Sequence, residues 1–83
     1  MKNAYLKQLV KSLLKIKNPK EMEEFLKGLL TAQELKSVPV RIEIVRMLKA
    51  GIPQRKIVKK LKVGVATVTR GSRELKLKRF KNV

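Results

Sequence analysis

The sequence predicts an all-α fold of short helices that ends in a helix-turn-helix, and three observations predict it. Apolar residues recur at intervals of three and four along the chain, the spacing of amphipathic helices. Helix-start signatures at Asn18 and Thr31 divide the first half into separate helices. After Gly51, two shorter segments, 53–61 and 65–77, are separated only by Lys62, Val63 and Gly64. No stretch alternates with a period of two for long enough to demand a strand.

Each element follows from local chemistry. Between Ala4 and Ile16, Leu6, Leu9, Val10, Leu13, Leu14 and Ile16 form the apolar stripe of a first helix, with Lys7, Lys11 and Lys15 on the other face. Asn18, Pro19 and Glu21 read as an N-cap, a first-turn proline and the acid of a capping box. They open a second helix over Met22, Phe25, Leu26 and Leu29, weakened near its end by Gly28. Thr31 and Glu34 repeat the capping-box spacing and start a third helix that turns Leu35, Val38, Ile42, Val45 and Leu48 inward. Pro39 predicts a kink in it or a restart from Ser37, because proline is tolerated in a helix only at the first turn. Gly51 ends it. The β-branched run Val63 to Val68 could pass for a strand, but Val65, Val68 and Leu75 keep helical spacing, so a helix is expected. The residues from Lys76 to Val83 are too short and too charged to pack alone, and are expected to fray or to clasp a partner or a phosphate backbone.

The organisation expected is one domain over residues 1–83, with a helical dimerisation core at 1–51, the helix-turn-helix at 52–77 and a basic tail at 78–83. A chain this size buries only about 60% of the surface its unfolded form exposes. With no Cys, neither disulfides nor thiolate metal sites can help, so a second copy is the cheapest source of stability. The missing cysteines suit a reducing cytoplasm. No stretch reaches the ~20 apolar residues of a membrane span, and Met1 to Val10 lack the core of a signal peptide.

Charge points to the partner. Lys and Arg number 22 against 6 Asp and Glu, a formal charge of +16. From Ile52 onward the basic residues are Arg55, Lys56, Lys59, Lys60, Lys62, Arg70, Arg73, Lys76, Lys78, Arg79 and Lys81, and the one acid is Glu74. That imbalance is the footprint of a polyanion. Ile57, Val58 and Leu61 supply the inner face of the first short helix, Val63 fills the turn, and Val68 anchors the second helix. Gln54, Arg55, Lys56 and Lys59 then face outward on the bracing helix, with Val65, Ala66, Thr67 and Thr69 on the reading helix, followed by Arg70 and Arg73. Small apolar groups suit a thymine methyl, and threonine hydroxyls suit bases or phosphates. Gly64 stands where a capping side chain is usual and leaves the first amides for water or phosphate. Lys62 stands where glycine is commoner in such turns.

The run GVATVTRGSRELK, Gly64 to Lys76, resembles the reading helix of the Trp repressor superfamily, and QRKIVKKL, Gln54 to Leu61, resembles its bracing helix. Leu29 to Gly51 is similar to the family's second and third helices and looks closest to its shorter TrpR-like members. The resemblance implies an intertwined homodimer whose first and third helices form a shared core. It implies DNA contacts at Arg55, Val65, Ala66, Thr67 and Thr69, partly through water. It also places Arg41 and Arg70 where the repressors flank an indole, with Thr31 and Gly71 in matching positions. Glu74 departs from the pattern, standing where the repressors carry a small hydroxyl residue near the ligand's ammonium. The shorter members are not expected to need tryptophan, so no cofactor is required, and L-tryptophan or another small corepressor is the ligand to test. Arg41 could instead pair with Glu34 or Glu43, and Arg70 with a phosphate.

These features exclude much. With no His, no Cys and no carboxylates placed for acid and base work, catalysis is not expected. Glu21, Glu23 and Glu24 sit where negative charge complements a helix N-terminus, so capping rather than metal binding is expected of them. The expected function is a sequence-specific transcriptional repressor that reads a palindromic operator as a dimer. The alternatives are a non-specific nucleic-acid or RNA-associated protein, for which charge alone suffices, and a cationic amphipathic protein acting on membranes.

Overall fold

The computed structural model describes residues 2–83, and Met1 of the expected 1–83 domain lies outside them. Five α-helices follow one another: α1 (Lys2–Lys15), α2 (Pro19–Leu29), α3 (Ala32–Lys49), α4 (Gln54–Leu61) and α5 (Val65–Lys76), with no strand among the described residues. The chain forms two compact units, one reaching Leu35 and the other Lys36–Val83.

In the first unit both caps stand where the sequence places them, with the reciprocal box formed only at Thr31 and Glu34. Asn18 is extended, and its Oδ1 accepts the amide of Glu21 at 2.9 Å, with Pro19 in the first turn of α2. The capping box of α3 closes reciprocally. Thr31 Oγ1 accepts from Glu34 N at 3.1 Å, and Glu34 Oε1 accepts from Thr31 N at 2.8 Å. Two orphan amides are thereby satisfied at one helix start. α1 begins at Lys2 rather than Ala4 and buries no residue fully among those whose side chains are described; Leu9, Leu13 and Ile16 are half-buried, while Tyr5, Leu6, Val10 and Leu14 are exposed.

The second unit holds the core. Ile44 and Met47 of α3, Ile57 of α4 and Val68 of α5 are buried together, and Val40, Leu48, Ile52, Val58, Leu61 and Val63 pack around them. The inward face of α3 differs from expectation. Val45 is buried as expected, but Ile44 and Met47 join it, whereas Leu35, Val38, Ile42 and Leu48 are half-buried. The helix is apolar around much of its circumference, so its spacing alone does not select one face. α3 also runs unbroken through Pro39 instead of restarting at Ser37. Proline removes one bond, that to the Leu35 carbonyl, and its own ring lies in solvent, so the helix on either side carries it.

Three helix ends close in the same way. After α3, Gly51 is left-handed (φ 83°), its N–H donates to Leu48 O at 3.0 Å and Ile52 N–H donates to Met47 O at 3.1 Å, a Schellman closure. After α4, Lys62 is left-handed (φ 55°), and Val63 N–H donates to Val58 O at 3.3 Å. After α5, Lys78 is left-handed (φ 62°), and Arg79 N–H donates to Glu74 O at 3.3 Å. The last closure turns the tail back, where fraying or an external clasp was expected. Lys49 Nζ then donates to the carbonyl oxygens of Phe80 at 2.6 Å and Val83 at 2.8 Å.

Candidate nucleic-acid interface

The turn between α4 and α5 is built on two side chains, Ile57 and Val68, both fully buried. Val63 packs against them from the turn. Once these positions point inward, helical geometry sends the others out. Gln54, Arg55, Lys56 and Lys59 of α4 are exposed, as are Val65, Ala66, Thr67, Thr69, Arg70 and Arg73 of α5. Val65 is 66% exposed, an apolar side chain at the tip of a helix with nothing among the described residues to cover it. Gly64 precedes it in an extended conformation and provides no side-chain cap, so the positive end of α5 is left open.

The field around this surface is uncompensated. Among the described residues, ion pairs engage Lys27 with Glu23 and Glu24, Arg46 with Glu43, and Arg79 with Glu74. None engages the cations of α4, nor Arg70 or Arg73. The acidic cluster of α2 is spent locally: hydrogen bonding to Glu23 raises the pKa of Lys27, with the charges of Glu23 and Glu24 adding to it. Among the described residues no group of acids is placed to hold a metal ion. On α4, Lys56, Lys59 and Lys60 stand around a shallow hollow of about 480 Å³ floored by Met47 and Ile52. Their stems cover apolar surface while their ammonium groups reach water.

A smaller pocket of about 180 Å³ lies between α3 and α5. It brings together Arg41, Arg70, Gly71 and Glu74 of the expected ligand set. Thr31 does not line it; its hydroxyl is committed to the capping box. Glu43 pairs with Arg46 at 3.7 Å, and among the described residues no ion pair holds Arg41. Gly71 permits the close approach of the two helices, since a Cβ there would stand 3.0 Å from Ile44 Cγ2. Thr67, expected at the DNA face, lines the pocket too. Phe80, which no sequence pattern singles out, forms part of the wall. Its backbone oxygen accepts from Lys49 Nζ, far away in the chain.

Comparison with known proteins agrees with this architecture. The profile of the family described as Trp repressor protein matches residues 4–81. The chain belongs to the Trp repressor family. A Trp operon repressor homolog of Vibrio vulnificus (strain YJ016) is 47% identical over 60 residues, covering 71% of this chain and 59% of the relative. One from Vibrio parahaemolyticus is 39% identical over 72 residues, covering 86% and 70%. One from Haemophilus influenzae (strain PittEE) is 44% identical over 55 residues, covering 65% and 54%. The chain thus spans 59% of the length of the V. vulnificus relative. No solved structure gives a significant match. Trp repressor family membership, with five helices and no strand among the described residues, bears out the all-helical expectation. No helix among the described residues is long and apolar enough to cross a membrane.

Proposed function

We propose that this Trp repressor family protein is a homodimeric, sequence-specific DNA-binding repressor that reads a palindromic operator in the major groove. One observation carries the reading. Ala66, Thr67 and Thr69, with Val65, stand exposed on a helix whose other face is locked by the fully buried Val68, and unpaired cations flank them. Short side chains let a helix backbone approach base edges, while Arg55, Lys56, Lys59 and Arg73 supply phosphate contacts that fix its register. The two copies of α5 then read half-sites about one helical turn, ~34 Å, apart.

The pocket behind α5 suits a small corepressor with an aromatic ring and a carboxylate. Arg41 and Arg70 offer guanidinium groups for stacking or for carboxylate pairing, and Ile44 and Val45 offer an apolar floor. L-tryptophan is the compound to test there. The formal charge of +16 supports a second reading, a nucleic-acid binder without sequence preference.

Selection of bound duplexes from a random DNA pool, with and without L-tryptophan and with a structured RNA pool in parallel, tests the proposal. An enriched palindrome with ~10³-fold preference over random duplex is expected. Equal retention of all sequences would leave the second reading in its place.

A further inference from the structure

We infer that the folded-back tail, through Arg79, competes with the ammonium of a small aromatic amine or amino acid for Glu74 at the edge of the pocket between α3 and α5. The inference adds regulation to the functional reading above and rests on it only for its effect on DNA. Its own test uses no DNA, so the two can fail separately.

The tail delivers two chemical features side by side. Arg79 brings a guanidinium to Glu74, with Nε 3.6 Å from Oε1, and the neighbouring Phe80 forms part of the wall of the pocket that Glu74 also lines. The ammonium of a ligand such as an aromatic amino acid would present a cation to the same carboxylate. Glu74 is the one carboxylate side chain beyond Ile52, so a ligand's ammonium has no other acidic residue there to meet. Its carboxylate is half-buried, which strengthens a charge contact relative to one in open water.

The arrangement is built, but held loosely. The left-handed Lys78 turns the chain, Arg79 N–H donates to Glu74 O at 3.3 Å, and Lys49 Nζ fastens the far side through the carbonyls of Phe80 and Val83. A lysine in that backbone region carries strain that a glycine would not. The Arg79 guanidinium and Lys49 contacts are exposed, so water and salt compete with them. Such a contact can be exchanged for a ligand without unfolding the core of Ile44, Met47, Ile57 and Val68, none of which it uses.

Calorimetric titration of the full chain and of its Arg79→Ala variant tests this with three probes: L-tryptophan, tryptamine and indole-3-propionate. The variant should bind L-tryptophan and tryptamine about ten-fold or more tighter than the unaltered chain. Indole-3-propionate, which lacks the ammonium, should not gain from Arg79→Ala. Lys49→Met, which frees the tail without touching the pocket wall, should reproduce the gain, and circular dichroism checks that each variant keeps its helices. In the unaltered chain, saturating L-tryptophan should speed hydrogen exchange of the 78–83 amides while leaving those of α5 protected. Variants that bind the amine probes no better than the unaltered chain, or not at all, overturn the inference. So does a bound chain whose tail amides exchange as slowly as before.

Discussion

At the scale of single residues, the proposed reading face divides side chains expected to specify a sequence from side chains expected only to hold the duplex. Thr69 and Ala66 are exposed on α5 and take no part in the core, so changing them leaves the fold intact. Thr69→Ala and Ala66→Leu are each expected to lower operator preference by ~1 to 3 kcal/mol for every base edge that the altered side chain no longer reads. Lys59→Ala, by contrast, should weaken binding to operator and random duplex alike, because a phosphate contact carries no sequence information. Quantitative competition between operator and random duplex measures both effects; full site preference in both α5 variants would reject the assigned face. Lys62 makes a separate point about stability. It holds a left-handed conformation (φ 55°, ψ 47°) that costs a side-chain-bearing residue ~1 to 2 kcal/mol, and glycine would adopt it freely. Part of that gain is offset by the greater freedom of glycine in the unfolded chain, so Lys62→Gly is expected to stabilise by about 1 kcal/mol. The urea midpoint should rise with an unchanged slope; a fall would show that the lysine makes a contact worth more than its strain.

At the scale of elements, helix starts were the most legible part of the sequence, because a cap is a local device. Asn18 with Glu21, and Thr31 with Glu34, act over three residues. Thr31 and Glu34 make both bonds of their box, whereas Asn18 accepts from Glu21 N–H without a return bond to the Glu21 carboxylate among the described residues. The same locality explains Gly51, whose left-handed turn closes α3. What was not legible depended on longer range. The burial of Ile44 and Met47 is decided by where α4 and α5 press on α3, not by the spacing within α3. Continuity through Pro39 requires the helix on both sides to be stable enough to absorb one missing bond. Phe80 reaches the pocket through Lys49 and a backbone closure on Glu74, neither of which neighbours it in sequence. Of the expected pocket set, Arg41, Arg70, Gly71 and Glu74 converge, and the Thr31 hydroxyl caps α3. Thr31→Ala should therefore lower stability by ~1 kcal/mol, the usual worth of an N-cap, and leave any ligand affinity unchanged. Thermal unfolding and calorimetry on the one variant read both. A loss of ligand affinity at unchanged stability would move Thr31 from the cap to the ligand.

At the scale of the molecule, the distribution of burial argues for a second copy. The fully buried apolar side chains among the described residues are Ile44, Val45, Met47, Ile57 and Val68, all in the unit from Lys36 onward. The first helix leaves Leu6 59%, Val10 46% and Leu14 74% exposed, along one amphipathic face. Ordering the 14 residues of α1 costs backbone entropy of about 1 kcal/mol or more per residue, and an isolated helix of that length is marginal in water. Something must cover the stripe, and each of these side chains, once buried, gains about 1.5 to 3 kcal/mol. If a second copy supplies the cover, folding and association are one event, and thermal stability rises with protein concentration. The chain should sediment as a dimer at micromolar concentration, and its unfolding midpoint should climb over a hundred-fold concentration series. Leu14→Glu places a carboxylate in the covered stripe, and should lower that midpoint and shift the protein towards monomer. Operator affinity should fall with it, since two copies of α5 can span half-sites only when joined. A concentration-independent midpoint, with Leu14→Glu as stable as the unaltered chain, would mean that α1 lies in solvent and that one copy folds and binds alone.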